Sequence, residues 1–187
     1  MVKIIQLDMK KLKSTLFLFL LVLPFATFSQ TGFYDFKVKT LEGEEFDFKT
    51  LKGKKVMIVN TASKCGNTPQ YKQLEAIHEE YGDQLAIIAF PANNFGGQEP
   101  GTAADIREFC TEKYGVSFPI MAKVSVKGDE IAPIYKWLTS KSLNGVLDSE
   151  VKWNFQKYLI DENGKLVNVL DPKEKPDSDK VIAWISM

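Results

Sequence analysis

The stretch KVMIVNTASKCGNTPQYKQLEAIHEEYGDQLAIIAF, residues 55–90, decides the fold. Its ends, Lys55 to Asn60 and Leu85 to Phe90, are short, nearly continuous apolar runs, the pattern of strands buried on both faces. Between them, residues 69–82 set Tyr71, Leu74, Ile77 and Tyr81 along one helical stripe. The reading places Thr68 as N-cap, Pro69 at the first helical position and Gly82 as terminator. Strand, helix and strand with 24 intervening residues make a βαβ unit, so the central sheet is partly parallel and covered on both faces.

Working outward, residues 30–51 alternate in short apolar runs around Glu42-Gly43-Glu44 and read as a hairpin. Beyond Phe90, Thr102 to Asp105 is a capping box opening a helix to about Tyr114, with Gly115 at its end and Ala103, Ile106, Phe109, Cys110 and Tyr114 as its apolar stripe. Residues 119–126 read as a strand and 133–140 as a short helix. Residues 151–169 read as a hairpin turning at Glu162-Asn163-Gly164, and 177–185 as a closing helix. No repeat or linker divides this part, so residues 30–187 form a single α/β domain.

Residues 1–29 differ in kind. A cationic stretch, Lys10-Lys11-Leu12-Lys13, precedes an almost unbroken apolar run from Leu16 to Ala26, and Ser29 offers a small residue for cleavage. That order is the pattern of a secretory signal peptide, with Met9 as the expected true start. The expected location is therefore export, to the periplasm; the alternative is a membrane anchor left uncleaved, for which the run is short and is interrupted by Pro24. The whole chain balances 24 Lys+Arg against 24 Asp+Glu, which offers no case for a nucleic-acid partner. Loss of the leader removes four lysines and one aspartate, shifting the net charge from 0 to −3.

Few residues can carry chemistry. Two cysteines exclude a disulfide-rich scaffold, and the single histidine, His78, excludes sites built on two; no metal site is expected. Asp161 to Gly164 lacks the spacing of a calcium loop, and Phe95-Gly96-Gly97-Gln98 lacks the Lys and Ser/Thr of a phosphate loop. Cys65 lies between the carboxyl end of a parallel strand and a helix start, where α/β sites are built, and both the helix N-terminus and Lys64 favour an anionic sulfur. By position it is a reactive cysteine, or else an inert half-cystine. Thr68 stands where a C-x-x-C dithiol would have its second cysteine, so any intramolecular disulfide must use Cys110. Taken alone, Cys110 on an apolar stripe is a small buried hydrophobe.

Three segments, Val59 to Tyr71, Phe90 to Gly101 and Lys152 to Phe155, resemble the signature segments of the glutathione peroxidase family, and the similarity extends through most of residues 33–171. The resemblance implies a thioredoxin fold, a central mixed sheet with flanking helices. It also implies a thiol peroxidase with Cys65 as peroxidatic residue and Gln98, Trp153 and Asn154 as polar partners. Those side chains carry N–H donors that can surround a thiolate and the leaving peroxide oxygen. Cys110 matches the resolving cysteine of the thioredoxin-dependent, two-cysteine branch. Ala92 and Asn94 depart from the Cys and Gln usual in the middle segment.

The implied cycle runs from a Cys65 sulfenic acid to a Cys65–Cys110 disulfide that a thioredoxin-like protein reduces, with glutathione as the alternative reductant and no cofactor. A disulfide needs Cα atoms about 4.4 to 6.8 Å apart, so residues 102–114 are expected to unwind partly during turnover. The chain lacks the longer insertion of tetrameric members before Trp153, which points to a monomer. The competing readings are an exported thiol-disulfide oxidoreductase without peroxidase activity and a non-enzymatic domain stapled by the same two cysteines.

Overall fold

The computed structural model describes residues 32–187. The expected leader over residues 1–29, the start at Met9 and the domain boundary at Gln30 lie outside the described residues. Four strands form the central sheet in the order β4 (Leu85–Pro91), β3 (Lys55–Thr61), β5 (Lys157–Ile160), β6 (Leu166–Leu170). β3 and β4 are parallel with Val59 opposite Ala89, while β5 runs antiparallel to β3 and to β6. The helix α1 (Gln70–Tyr81) supplies the crossover between the parallel pair. A separate ribbon, β1 (Lys37–Lys39) with β2 (Glu45–Asp47), joins the body through bridges from Thr40 to Met121 and from Ile120 to Ala89.

The unbroken apolar character of β3 and β4 follows from having a core on each face. Met57, Val59, Ile87 and Ala89 point to one side, where they pack with Leu74 and Ile77 of α1, Ile106 and Cys110 of α2 (Ala103–Tyr114), and Val181 and Ile185 of the last helix (Asp179–Ser186). Val56, Ile58, Ile88 and Phe90 point to the other, against Phe33, Phe48 and the helix α3 (Pro133–Thr139). Successive strand residues alternate sides, so every residue of β3 is buried.

Several expectations change in detail. Thr68 does not cap α1; its hydroxyl accepts from the Cys65 N–H (3.0 Å) and donates to Ala62 O (2.8 Å), bracing the loop instead. Gly82 ends α1 in a right-handed conformation, and its role is close approach: a Cβ there would lie 2.7 Å from His78 O. Residues 119–126 make single bridges rather than a strand, and a short helix, α4 (Lys141–Asn144), follows α3. In α2 the capping box between Thr102 and Asp105 forms, and Gly115 ends the helix at φ 65°. Only Ile106 and Cys110 are buried there, and Ala103 is exposed. His78 is half-buried, edge-on to Phe118.

Candidate active site

Three loops meet at the carboxyl end of β3. The first, residues 62–69, carries Cys65, which is 8% exposed and accepts an N–H from Asn67 at its sulfur (3.4 Å). The second, residues 92–101, turns through Gly96 (φ 63°) and Gly97 (φ 64°) to deliver Gln98. Two consecutive left-handed residues are accessible at low cost only to glycine, which explains the pair. The third, residues 152–156, carries Trp153 and Asn154 and is turned into β5 by Phe155, the one non-glycine residue with positive φ (68°) among the described residues. Its ring is fully buried and edge-on to Tyr71 at 5.3 Å, so packing holds a backbone conformation that L-residues disfavour.

Hydrogen bonds lock these loops around Cys65. Lys64 N–H donates to Gln98 O (3.0 Å), and Asn67 Nδ2 donates to Asn154 O (3.3 Å), so residues on both sides of the cysteine hold one of the other loops. Asn154 Nδ2 donates to Gln98 Oε1 (3.0 Å), closing the ring. From below, Asn60 at the end of β3 donates to Trp153 O (3.1 Å) and accepts from Gln156 N–H (3.1 Å). Trp153 is 40% exposed and its ring leans on Phe95 at 5.3 Å, with Lys127 Nζ 4.3 Å from the Phe95 centroid.

Four of the five expected site residues are thus carried by loops that hydrogen bonds hold together. The Asn154 side chain is fully buried and donates to the Gln98 amide, so the two expected polar partners of Cys65 are also partners of each other. With its carbonyl oxygen engaged, Gln98 keeps the Nε2 hydrogens as donors. Glu99, also buried, accepts from the Ser63 N–H (2.9 Å) and hydroxyl (3.1 Å). Burial pushes its carboxyl up, against the Ser63 bonds and the Lys123 and Lys64 charges. The sequence reading missed Asn67, Phe95 and Phe155. All three stand inside the signature segments, but nothing in their spacing announces a bracing role.

Cys110 is the residue that does not join the group. It is fully buried in the core beneath α2, and both cysteines are free thiols. Burial pushes the Cys110 thiol up to about 11, only partly offset by the neighbouring Tyr71 hydroxyl. A thiol ordinarily near 9.0 thereby loses about a hundredfold of its thiolate at neutral pH while it stays packed. A cavity of about 250 Å³ separates Ser63 and Lys64 from Ile106 and Phe109, the residues flanking the two cysteines. No cluster of three metal-ligating side chains occurs among the described residues, nor does any helix there have the length and apolarity to cross a membrane.

Comparison with known proteins agrees with this geometry. The family profile described as glutathione peroxidase matches residues 33–139. The chain is 48% identical over 149 residues to a glutathione peroxidase-like peroxiredoxin 2 of Saccharomyces cerevisiae, covering 79% of this chain and 92% of the yeast protein. Among solved structures it is similar to the apo form of Trgpx, at 40% identity and a TM-score of 0.65, covering 85% of this chain and 98% of that one. A thioredoxin-family thiol:disulfide interchange protein of Chlorobium tepidum matches at 18% identity and a TM-score of 0.54 over 80% of this chain and 92% of its own, which shows that the fold is the thioredoxin fold.

Proposed function

The chain belongs to the glutathione peroxidase family and is a thiol peroxidase, and from that premise we propose that Cys65 attacks the hydroperoxide, Cys110 resolves the product and a thioredoxin-like protein restores both thiols. The observation that carries the assignment is the closed ring of bonds by which Lys64 and Asn67, flanking Cys65, hold Gln98 and Asn154. In the first step the Cys65 thiolate takes the distal peroxide oxygen, giving a sulfenic acid and water or an alcohol. Gln98 Nε2 and Trp153 Nε1 donate to the leaving oxygen as its negative charge develops. In the second step Cys110 leaves its buried place and displaces water from the sulfenic sulfur. Its suppressed acidity in the packed state and the cavity between the two segments both support partial unwinding of α2 before that step.

Peroxide consumption by wild type, Cys65→Ser and Cys110→Ser tests the scheme. Cys65→Ser is expected to abolish consumption, while Cys110→Ser completes one turnover and then stalls as a sulfenic acid with a thioredoxin-like reductant. Activity surviving in Cys65→Ser refutes the assignment, and unchanged turnover in Cys110→Ser returns that cysteine to the core. Running the same assay with glutathione in place of the protein reductant separates the two reductant classes. We further propose that residues 1–29 direct export to the periplasm and that the mature domain acts as a monomer. Sequencing the N-terminus of the cell-derived protein and measuring its mass by light scattering test these two points.

A further inference from the structure

The fastening of α2 is uneven. Just before the helix, Lys123 Nζ donates to Glu99 O (3.0 Å) and Gly101 O (2.6 Å). Just after it, the buried carboxylate of Glu75 accepts from the Ser117 N–H (2.9 Å) and from the Ser117 hydroxyl. Between these anchors the helix buries only Ile106 and Cys110 and borders the 250 Å³ cavity on one side. Among the described residues a single ion pair ties it to another element: Arg107 Nε and Nη2 lie 2.7 and 2.5 Å from Glu42 Oε1.

Glu42 stands on a rigid base. Its turn between β1 and β2 is closed by Thr40 N–H to Glu44 O (2.8 Å) and Gly43 N–H to Thr40 O (3.0 Å). The preceding residue, Leu41, is buried in the same core as Ile106 and Cys110, and its N–H donates to Ile120 O (2.9 Å). An exposed carboxylate on a braced turn therefore grips a side chain one residue after Ile106 and three before Cys110. We propose that Arg107 and Glu42 are positioning residues for the resolving step, their ion pair holding α2 wound with Cys110 turned inward until it opens. The inference rests on the two-cysteine reading above. In that step a bond forms between the Cys110 and Cys65 sulfurs and the S–O bond of the sulfenic acid breaks. Cys110 sulfur is oxidised, the sulfenic sulfur is reduced, and the thiol proton leaves with the hydroxyl as water. The pair touches none of the reacting atoms; apart from the Arg107 charge, the smallest of the influences on the Cys110 thiol, it acts on how often Cys110 is presented.

The test is a single turnover with one equivalent of hydrogen peroxide, quenched by alkylation at timed intervals and read by mass spectrometry as sulfenic acid and disulfide separately. Arg107→Gln and Glu42→Gln are each expected to speed disulfide formation by about 1.5- to 5-fold, the range for an exposed pair, while the rate of sulfenic acid formation stays at the wild-type value. The charge-reversed double variant, Arg107→Glu with Glu42→Arg, restores the wild-type rate. Raising salt from about 0.02 to 0.5 M accelerates the wild type by a similar factor and leaves Arg107→Gln unchanged. Disulfide formation in Arg107→Gln at or below the wild-type rate, or a salt effect that persists in it, overturns the proposal. A wild type that forms no Cys65–Cys110 disulfide overturns the two-cysteine reading and the latch together, an outcome distinct from a disulfide whose rate ignores the pair.

Discussion

Asn154 illustrates how a residue type constrains a role without deciding it. An amide can donate to a sulfur or to another amide, and here it donates to Gln98 Oε1 while its own backbone carbonyl is held by Asn67. If Asn154 acts on the peroxide through Gln98, the bond between the two amides predicts how their variants combine. Replacing Gln98 by Ala is expected to slow sulfenic acid formation by about 10²-fold or more, as for the loss of one preorganised donor. Asn154→Ala should slow it as well, because Gln98 is then free to turn. The double variant should be scarcely slower than Gln98→Ala alone, since the two side chains form one unit. Stopped-flow rates of the three variants check this, and penalties that multiply would place Asn154 directly on the substrate.

At the scale of elements, two segments carry opposite mechanical duties. The loop that ends in Phe155 is rigid, with a φ of 68° imposed by a ring buried against Tyr71. Truncation to Ala leaves both a cavity and an unfavourable φ, at a cost of about 3–5 kcal/mol. Phe155→Gly leaves the same cavity but relieves the backbone, so it should be more stable than Phe155→Ala by about 1 kcal/mol, against the usual order of the two residues. Urea unfolding of the two variants decides it, and the reverse order would show that the conformation is unstrained. By contrast, α2 fully buries only Ile106 and Cys110, half-buries Phe109 and Tyr114, the latter 5.5 Å from the Tyr71 ring, and has one exposed ion pair to another element among the described residues. Backbone amides of residues 102–114 should lose hydrogen-exchange protection on oxidation by peroxide, while Ser117, whose N–H is bonded to Glu75, keeps its own. Equal protection of 102–114 in the reduced and oxidised protein sinks the unwinding step.

Across the whole molecule, the most unusual buried group lies outside the site. Lys157 in β5 is fully buried and donates to Gln70 Oε1 (2.9 Å), to Asp171 O and Pro172 O (3.3 Å each) and to Glu174 O, fastening the start of α1 to the segment before the last helix. Burial lowers its ammonium from 10.5 to about 8, with the Glu174 and Asp171 charges opposing. Between those values the unfolded chain holds a proton that the folded chain has released, so this group's contribution to stability grows as pH rises through about 8 toward 10.5 and is lost as pH falls back. The stability difference between wild type and Lys157→Met should therefore move in favour of wild type by on the order of 3 kcal/mol over that window. Denaturant unfolding at pH 7.5 and 10.5 measures it, and a pH-independent difference would mean that Lys157 keeps its proton.

The alternation of periods over residues 55–90 was enough to determine the βαβ unit, because strands covered on both faces read as unbroken apolar runs and a crossover helix as a 3.6-residue stripe. The capping box of α2 and the Glu162-Asn163-Gly164 turn were equally legible, since each is settled by neighbours in sequence. Residues 119–126, by contrast, have strand composition but form β-bridges at Ile120 and Met121 alone, with single backbone bonds from Ala122 to Lys39 O and from Val124 to Pro91 O. Cys65, Gln98, Trp153 and Asn154 could be named from their signature segments, yet their chemistry is shared out by bonds between loops about thirty or more residues apart. Tertiary structure alone decided that Asn154 serves Gln98, that Thr68 braces the loop instead of capping a helix, and that Arg107 is gripped by Glu42. Local sequence specifies backbone periodicity and turn chemistry because those depend on near neighbours, whereas the partner of a polar side chain depends on which distant segment the folded core brings within hydrogen-bond reach.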